Sequence, residues 1–323
     1  MPDTLKLINM EDVQSQEIQW LWKPYIPFGK TTMLQGDPGD GKTTLILAVA
    51  AAVTRGLLLP ECDTPVGPFN VLYQTAEDGL GDTIKPRLEQ SGADCKRVNV
   101  IDESREPLTL SDARIEQAIR DTGARLFILD PLQAYLGANV DMHRANEVRP
   151  VLKHLGGVAE RTNCAIVIIG HMNKGGGFKS QYRGLGSIDI QAAMRSVLTL
   201  GRIQGKPHMR AFAQGKSNLA PEGAAIAFDL DPDTGFRWVG EYPITIDELL
   251  QGALVDREIP FDRAQGLLKT ELTGKTLPAS ALVALAKEQD ISKRTLDRAK
   301  SALSVKSVKK DGQWYWTLSQ DKA

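Results

Sequence analysis

The sequence predicts an α/β fold: a mostly parallel sheet flanked by helices, with an antiparallel extension, followed by a small α+β unit. Three observations predict it. Between residues 30 and 240, short apolar runs rich in β-branched residues alternate with helical patterns, as in a parallel sheet covered on both faces. After Met194 such runs crowd together, separated by turn residues such as Gln204-Gly205 and Asp233-Thr234-Gly235, which suits antiparallel strands. Beyond Glu241 the composition turns helical and charged and closes on a short β-ribbon.

Strands are expected at 31–36 (TTMLQG), 69–75 (FNVLYQT), 97–102 (RVNVID), 125–130 (RLFILD) and 164–170 (CAIVIIG), with helices at 42–55, 82–91, 111–122 and 144–162. RSVLTLGRI, HMRAFAQGK, AAIAFDLD and GFRWVG supply the antiparallel strands. Helical segments follow near 245–256, 261–272 and 278–288, then the turn Asp290-Ile291-Ser292, a helix in SKRTLDRAKSALS and two strands in VKSVKKDGQWYWTLS. The composition shift puts a boundary between a large domain, 1–242, and a small one, 243–323.

The composition, 42% hydrophobic and 24% charged over 323 residues, is that of a globular protein. A net charge of −1 means that any nucleic-acid contact must come from local basic clusters. Three unevenly spaced cysteines, Cys62, Cys95 and Cys164, form no metal-ligand pattern and read as reduced thiols. Leu45–Leu59 is apolar but short and broken by Arg55 and Gly56, so it reads as a buried helix. A cytoplasmic chain without a membrane partner is expected.

GDPGDGKTT follows an expected strand and opens an expected helix, and matches G-x-x-x-x-G-K-[ST]. Nucleotide contacts are therefore expected from Gly36, Asp37, Pro38, Gly39, Asp40, Gly41, Lys42, Thr43 and Thr44. The glycines let backbone N–H groups turn toward phosphate, and the helix N-terminus adds partial positive charge. Lys42 would meet the β- and γ-phosphates and Thr43 would bind Mg²⁺. LFILDP puts Asp130 at the carboxyl end of a buried strand, where it would hold Mg²⁺ through water. No glutamate follows Asp130, so the water-polarising carboxylate is sought in QTAEDG, where Glu77 is favoured over Asp78.

With AEDGLGDTIKPRLEQSGA, LFILDPLQAY, IVIIGHMNKGG, RGLGS, AAMRS and GKSN, this loop resembles the RecA-like ATPases. Within them it is similar to the RepA-type hexameric plasmid helicases and to their DnaB and KaiC relatives. The resemblance runs from 20 to 240, two thirds of the chain. It implies ATP and Mg²⁺ as cofactors and a nucleotide shared between subunits of a hexameric ring. By that resemblance His171 senses the γ-phosphate and starts a loop. Arg195 is the finger inserted into a neighbour's ATP, with Lys216 and Asn218 nearby. Arg87 in KPRLEQSG also matches the family. A guanine reader is disfavoured, because Gly176 stands where Asn-Lys-x-Asp needs aspartate.

The segment MNKGGGFKSQYRGLGS carries Lys174, Lys179 and Arg183 beside Phe178 and Tyr182, groups able to hold phosphates and stack on bases. In a ring it would face the central channel with LQAYLGANVDMHR, including Arg144, and grip single-stranded DNA. The C-terminal stretch has the pattern of a winged helix, with Ser292 as N-cap and Ile291, Leu296 and Leu303 turned inward. Trp314 or Trp316 should be core, and DNA contacts are expected from Arg294, Arg298 and Lys309. The expectation is an ATP-driven, ring-forming motor, a replicative helicase of a mobile element working with replication or host proteins. The alternative is a DNA-bound switch, loader or recombination ATPase.

Overall fold

The computed structural model describes residues 7–138, 140–142, 144–172, 188–252, 260–310 and 312–318. The first strands form a hairpin, β1 (Trp20–Trp22) and β2 (Ile26–Pro27). Its aromatic rings close one end of the core: Trp22 meets Tyr25 edge-to-face at 5.1 Å, and the Tyr25 hydroxyl donates to the Ala224 carbonyl at 2.7 Å.

The strands that follow are β3 (Thr31–Gly36), β4 (Asn70–Thr75), β5 (Val98–Asn99), β6 (Ala124–Asp130), β7 (Ala165–His171), β8 (Ser196–Arg202), β9 (Met209–Ser217), β10 (Ile226–Asp231) and β11 (Gly235–Glu241). They form one nine-stranded sheet in the order β11-β10-β9-β8-β3-β7-β6-β4-β5. The strands from β8 across to β5 pair in parallel, and β8 to β11 pair antiparallel. That is the expected mostly parallel sheet with an antiparallel extension, a RecA-like α/β arrangement.

Helices α1 (Lys42–Arg55), α2 (Lys85–Gln90), α3 (Ala113–Thr122) and α4 (Ala145–Thr162) cover the two faces. The period-2 alternation of each strand decides which helix it meets. Leu126 and Ile128 pack with Val167 and Ile169 under α1. Phe127 and Leu129 pack with Ile166 and Ile168 under α3 and α4. Helix α1 is apolar on almost every side and is buried accordingly. Gly56, at φ 67°, ends it in the left-handed conformation that glycine adopts without strain.

Short α5 (Ile188–Ala193) precedes β8, and α6 (Ile246–Gln251) follows the sheet behind a capping box made by Thr245 and Glu248. A second core gathers α7 (Pro260–Leu272), β12 (Thr276–Pro278), α8 (Ala279–Glu288), α9 (Lys293–Ala302), β13 (Lys306–Lys310) and β14 (Gln313–Thr317). Leu268, Leu282, Ile291, Leu296 and Trp316 fill it, while Trp314 is 52% exposed. Ser292 caps α9 by accepting from the Thr295 N–H.

Two elements differ from the sequence reading. The expected strand 97–102 pairs only over Val98–Asn99, because Ile101 N–H donates to the Gln74 side chain, not to a neighbouring strand. Strand β12 was not foreseen; it is three residues long and joins β14 to make a three-stranded sheet.

Phe127 is fully buried in the face under α3 and α4. Phe127→Ala is expected to lower the unfolding free energy by about 3–5 kcal/mol. The checking measurement is a denaturant titration, in which the midpoint falls with little change of slope.

Candidate nucleotide-binding site

The parallel strands deliver their carboxyl ends to one edge. Register sets Gly36 beside His171 and Thr75 beside Asp130. Ligands of open α/β sheets bind at such edges because the strand order reverses there and leaves a crevice.

Gly36 ends β3 where a Cβ would lie 2.6 Å from the Leu200 carbonyl oxygen, so only glycine lets β8 come this close. The loop then turns through Gly39 (φ 79°) and Gly41 (φ 96°). The Asp40 carboxylate closes it by accepting from Asp37 N–H and from Arg202 Nε, each at 3.1 Å. Arg202 also donates to the Gly39 carbonyl at 2.8 Å. Burial raises the Asp40 pKa, and the hydrogen bond from Arg202 opposes that rise. Helix α1 starts at Lys42 with no side-chain cap, which leaves its first N–H groups for an anion.

The Lys42 ammonium is buried and donates to the Gly36 and Asp37 carbonyls, both at 2.9 Å. An ammonium has three donors, so one remains for a phosphate oxygen. Burial lowers the Lys42 pKa, while Asp40, Asp130 and Asp37 raise it.

Thr43 Oγ1 donates to Asp130 Oδ2 at 2.8 Å, and the Tyr73 hydroxyl donates to the same oxygen at 3.1 Å. Burial raises the Asp130 pKa; the bonds from Thr43 and Tyr73 lower it. One hydroxyl and one carboxylate at the end of a phosphate loop fit Mg²⁺, a hard cation that takes its remaining ligands from phosphates and water. Bound there, the ion would neutralise charge on the β- and γ-phosphates.

Glu77 Oε1 lies 3.8 Å from His171 Nε2 across this edge, with the Glu77 side chain 60% exposed. Asp78 instead pairs with Arg87 at 3.1 Å. Of the two carboxylates, Glu77 is therefore the one turned toward the histidine. His171 Nδ1 is buried without a hydrogen-bond partner among the described residues. Sequence reasoning missed Tyr73 and Arg202. Tyr73 was legible only as an apolar strand residue, and Arg202 reaches the loop from β8, whose register no motif reveals.

Other expected site residues lie elsewhere. Arg195 is exposed at the opposite end of the sheet, its N–H bonded to the Thr31 carbonyl at 3.0 Å. Lys216 Nζ donates to the Gln191 and Ala192 carbonyls at 2.9 Å each. It thus caps α5 and, like Lys42, keeps one of its three donors. Arg144 pairs with Asp141 and Glu147 at 3.4 and 3.2 Å. Arg294 meets Asp63 at 3.3 Å, Glu61 at 3.7 Å and the Cys62 carbonyl, and Arg298 meets Glu61 at 3.3 Å and the Val239 carbonyl at 3.0 Å. Both guanidiniums thus contact groups of the larger body. Lys309 is exposed, 5.8 Å from the Trp314 ring centroid. Lys174, Lys179 and Arg183 lie outside the described residues.

A glycine loop holding a buried lysine, a helix start free for anions and a hydroxyl–carboxylate pair define a phosphate-loop ATPase of RecA-like fold. The AAA domain family model matches residues 2–177, more than half of the chain, and includes the loop, Glu77, Asp130 and His171. The chain belongs to this AAA domain family. It is also similar to DNA repair protein RadA of Halalkalibacterium halodurans, 28% identical over 150 residues, and of Bacillus subtilis, 26% identical over 151. Each match covers 46% of this chain and 29% of the relative's length. Among solved structures, the KaiC-like protein PH0186 of Pyrococcus horikoshii OT3 aligns with a TM-score of 0.49 and 14% identity, over 67% of this chain and 91% of that one. Among the described residues, no helix is long and apolar enough to cross a membrane.

Burial raises the Asp130 pKa above the usual carboxylate range, so holding its charged form at neutral pH costs the folded state stability. Asp130→Asn is expected to raise the melting temperature of the nucleotide-free protein at pH 7, because it removes that buried charge. The gain shrinks as pH falls toward the Asp130 pKa, and Mg²⁺-dependent ATP hydrolysis is lost. Scanning calorimetry and phosphate release check the two halves.

Proposed function

We propose that the chain is an ATP-hydrolysing, ring-forming motor that translocates on single-stranded DNA, a replicative helicase of a mobile element. The observation that carries this reading is the position of Arg195. Strand β8 begins beside Thr32, whereas the phosphate loop begins at Gly36, so β3 separates Arg195 from its own chain's nucleotide by ~15 Å. An exposed arginine at that distance can stabilise transition-state charge only in a neighbouring subunit's site. A finger of this kind is worth roughly 10³–10⁵ in rate.

Within the site, Glu77 polarises the attacking water, Lys42 and Thr43 hold phosphate and Mg²⁺, and His171 reads the γ-phosphate through its contact with Glu77. A cleft of about 470 Å³ beside Thr44, lined by Arg87, Gln90, Pro232 and Phe236, suits the adenine base and ribose. DNA is gripped by Lys174, Lys179 and Arg183 of one segment and by Arg144 of another. The domains are 1–242, which binds ATP, and 243–323, a winged helix; the order α7-β12-α8-α9-β13-β14 supports the latter. The similarity to RadA, a DNA repair protein by name, favours a recombination ATPase as the second reading.

Single-stranded DNA is expected to stimulate ATP hydrolysis, and Lys42→Ala to abolish it by removing the phosphate-contacting ammonium. Phosphate release with and without DNA, together with strand displacement, checks this. A rate indifferent to DNA contradicts the motor, and DNA-stimulated hydrolysis without duplex opening favours the second reading.

A further inference from the structure

Gln35 is a costly choice for its position. It lies in β3 with parallel neighbours on both sides and is only 3% exposed. A buried amide costs free energy unless both its donor and its acceptor find partners, whereas valine or isoleucine would pack there without that cost. Both ends of this amide are used. Gln35 Nε2 donates to Thr199 Oγ1 of β8 at 3.1 Å, and Gln35 Oε1 accepts from Gln191 Nε2 of α5 at 3.0 Å.

The residue after Gln35 is Gly36, whose carbonyl accepts from the Lys42 ammonium. A short polar path therefore runs from Lys42 through Gly36 and Gln35 to Gln191. Helix α5 has only six residues, too few to be stable alone, so its position depends on what holds it. Ile190 and Met194 bury their side chains in the core. Arg149 pairs with Asp189 at the first turn, and Lys216 caps the last carbonyls. Of these attachments, the Gln35–Gln191 hydrogen bond is the one that leads to the phosphate loop. A cleft of about 380 Å³ borders Gln35, Gln191, Thr199 and Lys216, so this side of α5 is not packed solid.

We propose that Gln35 and Gln191 form a tether through which occupancy of the phosphate loop sets the position of α5, with Lys216 holding the far end of that helix. When a phosphate draws on the Lys42 ammonium, its hold on the Gly36 carbonyl changes, and Gln35 carries the adjustment to Gln191. Gln191 is a positioning residue; it touches no phosphate. The inference deepens the ATP-site reading and rests on it.

The test is amide hydrogen exchange on the full chain, with and without Mg²⁺ and a slowly hydrolysed ATP analogue, with the affinity for the analogue measured in parallel. In the wild type, exchange within Ile188–Ala193 is expected to change by at least ~5-fold on binding, the lower end of typical site-to-site coupling. In Gln191→Leu that response is lost while analogue affinity is kept. Gln191→Asn retains an amide but is one methylene too short to reach; it should behave as the leucine variant does and serves if Gln191→Leu fails to fold. An α5 that ignores the bound analogue in the wild type overturns the tether, as does an undiminished response in a folded Gln191 variant. Failure of the wild type to bind the analogue would refute the ATP seat itself, and the tether with it.

Discussion

The hydrogen bond from Thr43 to Asp130 is the constraint around which the phosphate-binding edge is built. It joins the first turn of α1 to the end of β6 and fixes the phosphate loop relative to the strand that supplies the carboxylate. Asp130 is buried, and its pKa is raised by that burial. The Thr43 and Tyr73 hydroxyls recover part of that cost. A buried carboxylate held at such cost fits a cation seat, in which stability is traded for function.

The same trade recurs beside it. Lys42 is buried against two carbonyls, and Asp40 is buried between a backbone N–H and Arg202. Of these groups, Lys42 keeps one donor for a nucleotide phosphate. The loop, Asp130 and Glu77 thus sit at one edge in a pre-set arrangement, of the kind that lets electrostatic stabilisation act without reorganisation.

Much of this edge was legible in the sequence, because the residues concerned lie in contiguous motifs. GDPGDGKTT and LFILDP each combine a strand, its end and the functional group, so local pattern alone places Gly36, Lys42, Thr43 and Asp130. What escaped depends on pairing between distant segments. Tyr73 reaches Asp130 across β4 and β6, Arg202 reaches Asp40 from β8, and Gln35 meets Gln191, 156 residues away. The basic residues of α9 show the same limit: Arg294 and Arg298 pair with Glu61 and Asp63 of the larger body, and no local signal foretells those contacts.

The central claim, that the carboxyl edge of the parallel strands is the nucleotide seat, is tested most directly by photo-crosslinking with an ATP analogue that carries its reactive group on the adenine ring. With Mg²⁺ present, the account predicts label in peptides containing Arg87–Gln90 or Asp231–Phe236, competed away by ATP. Competed label confined to α7–α9 or to the β1–β2 hairpin would contradict it.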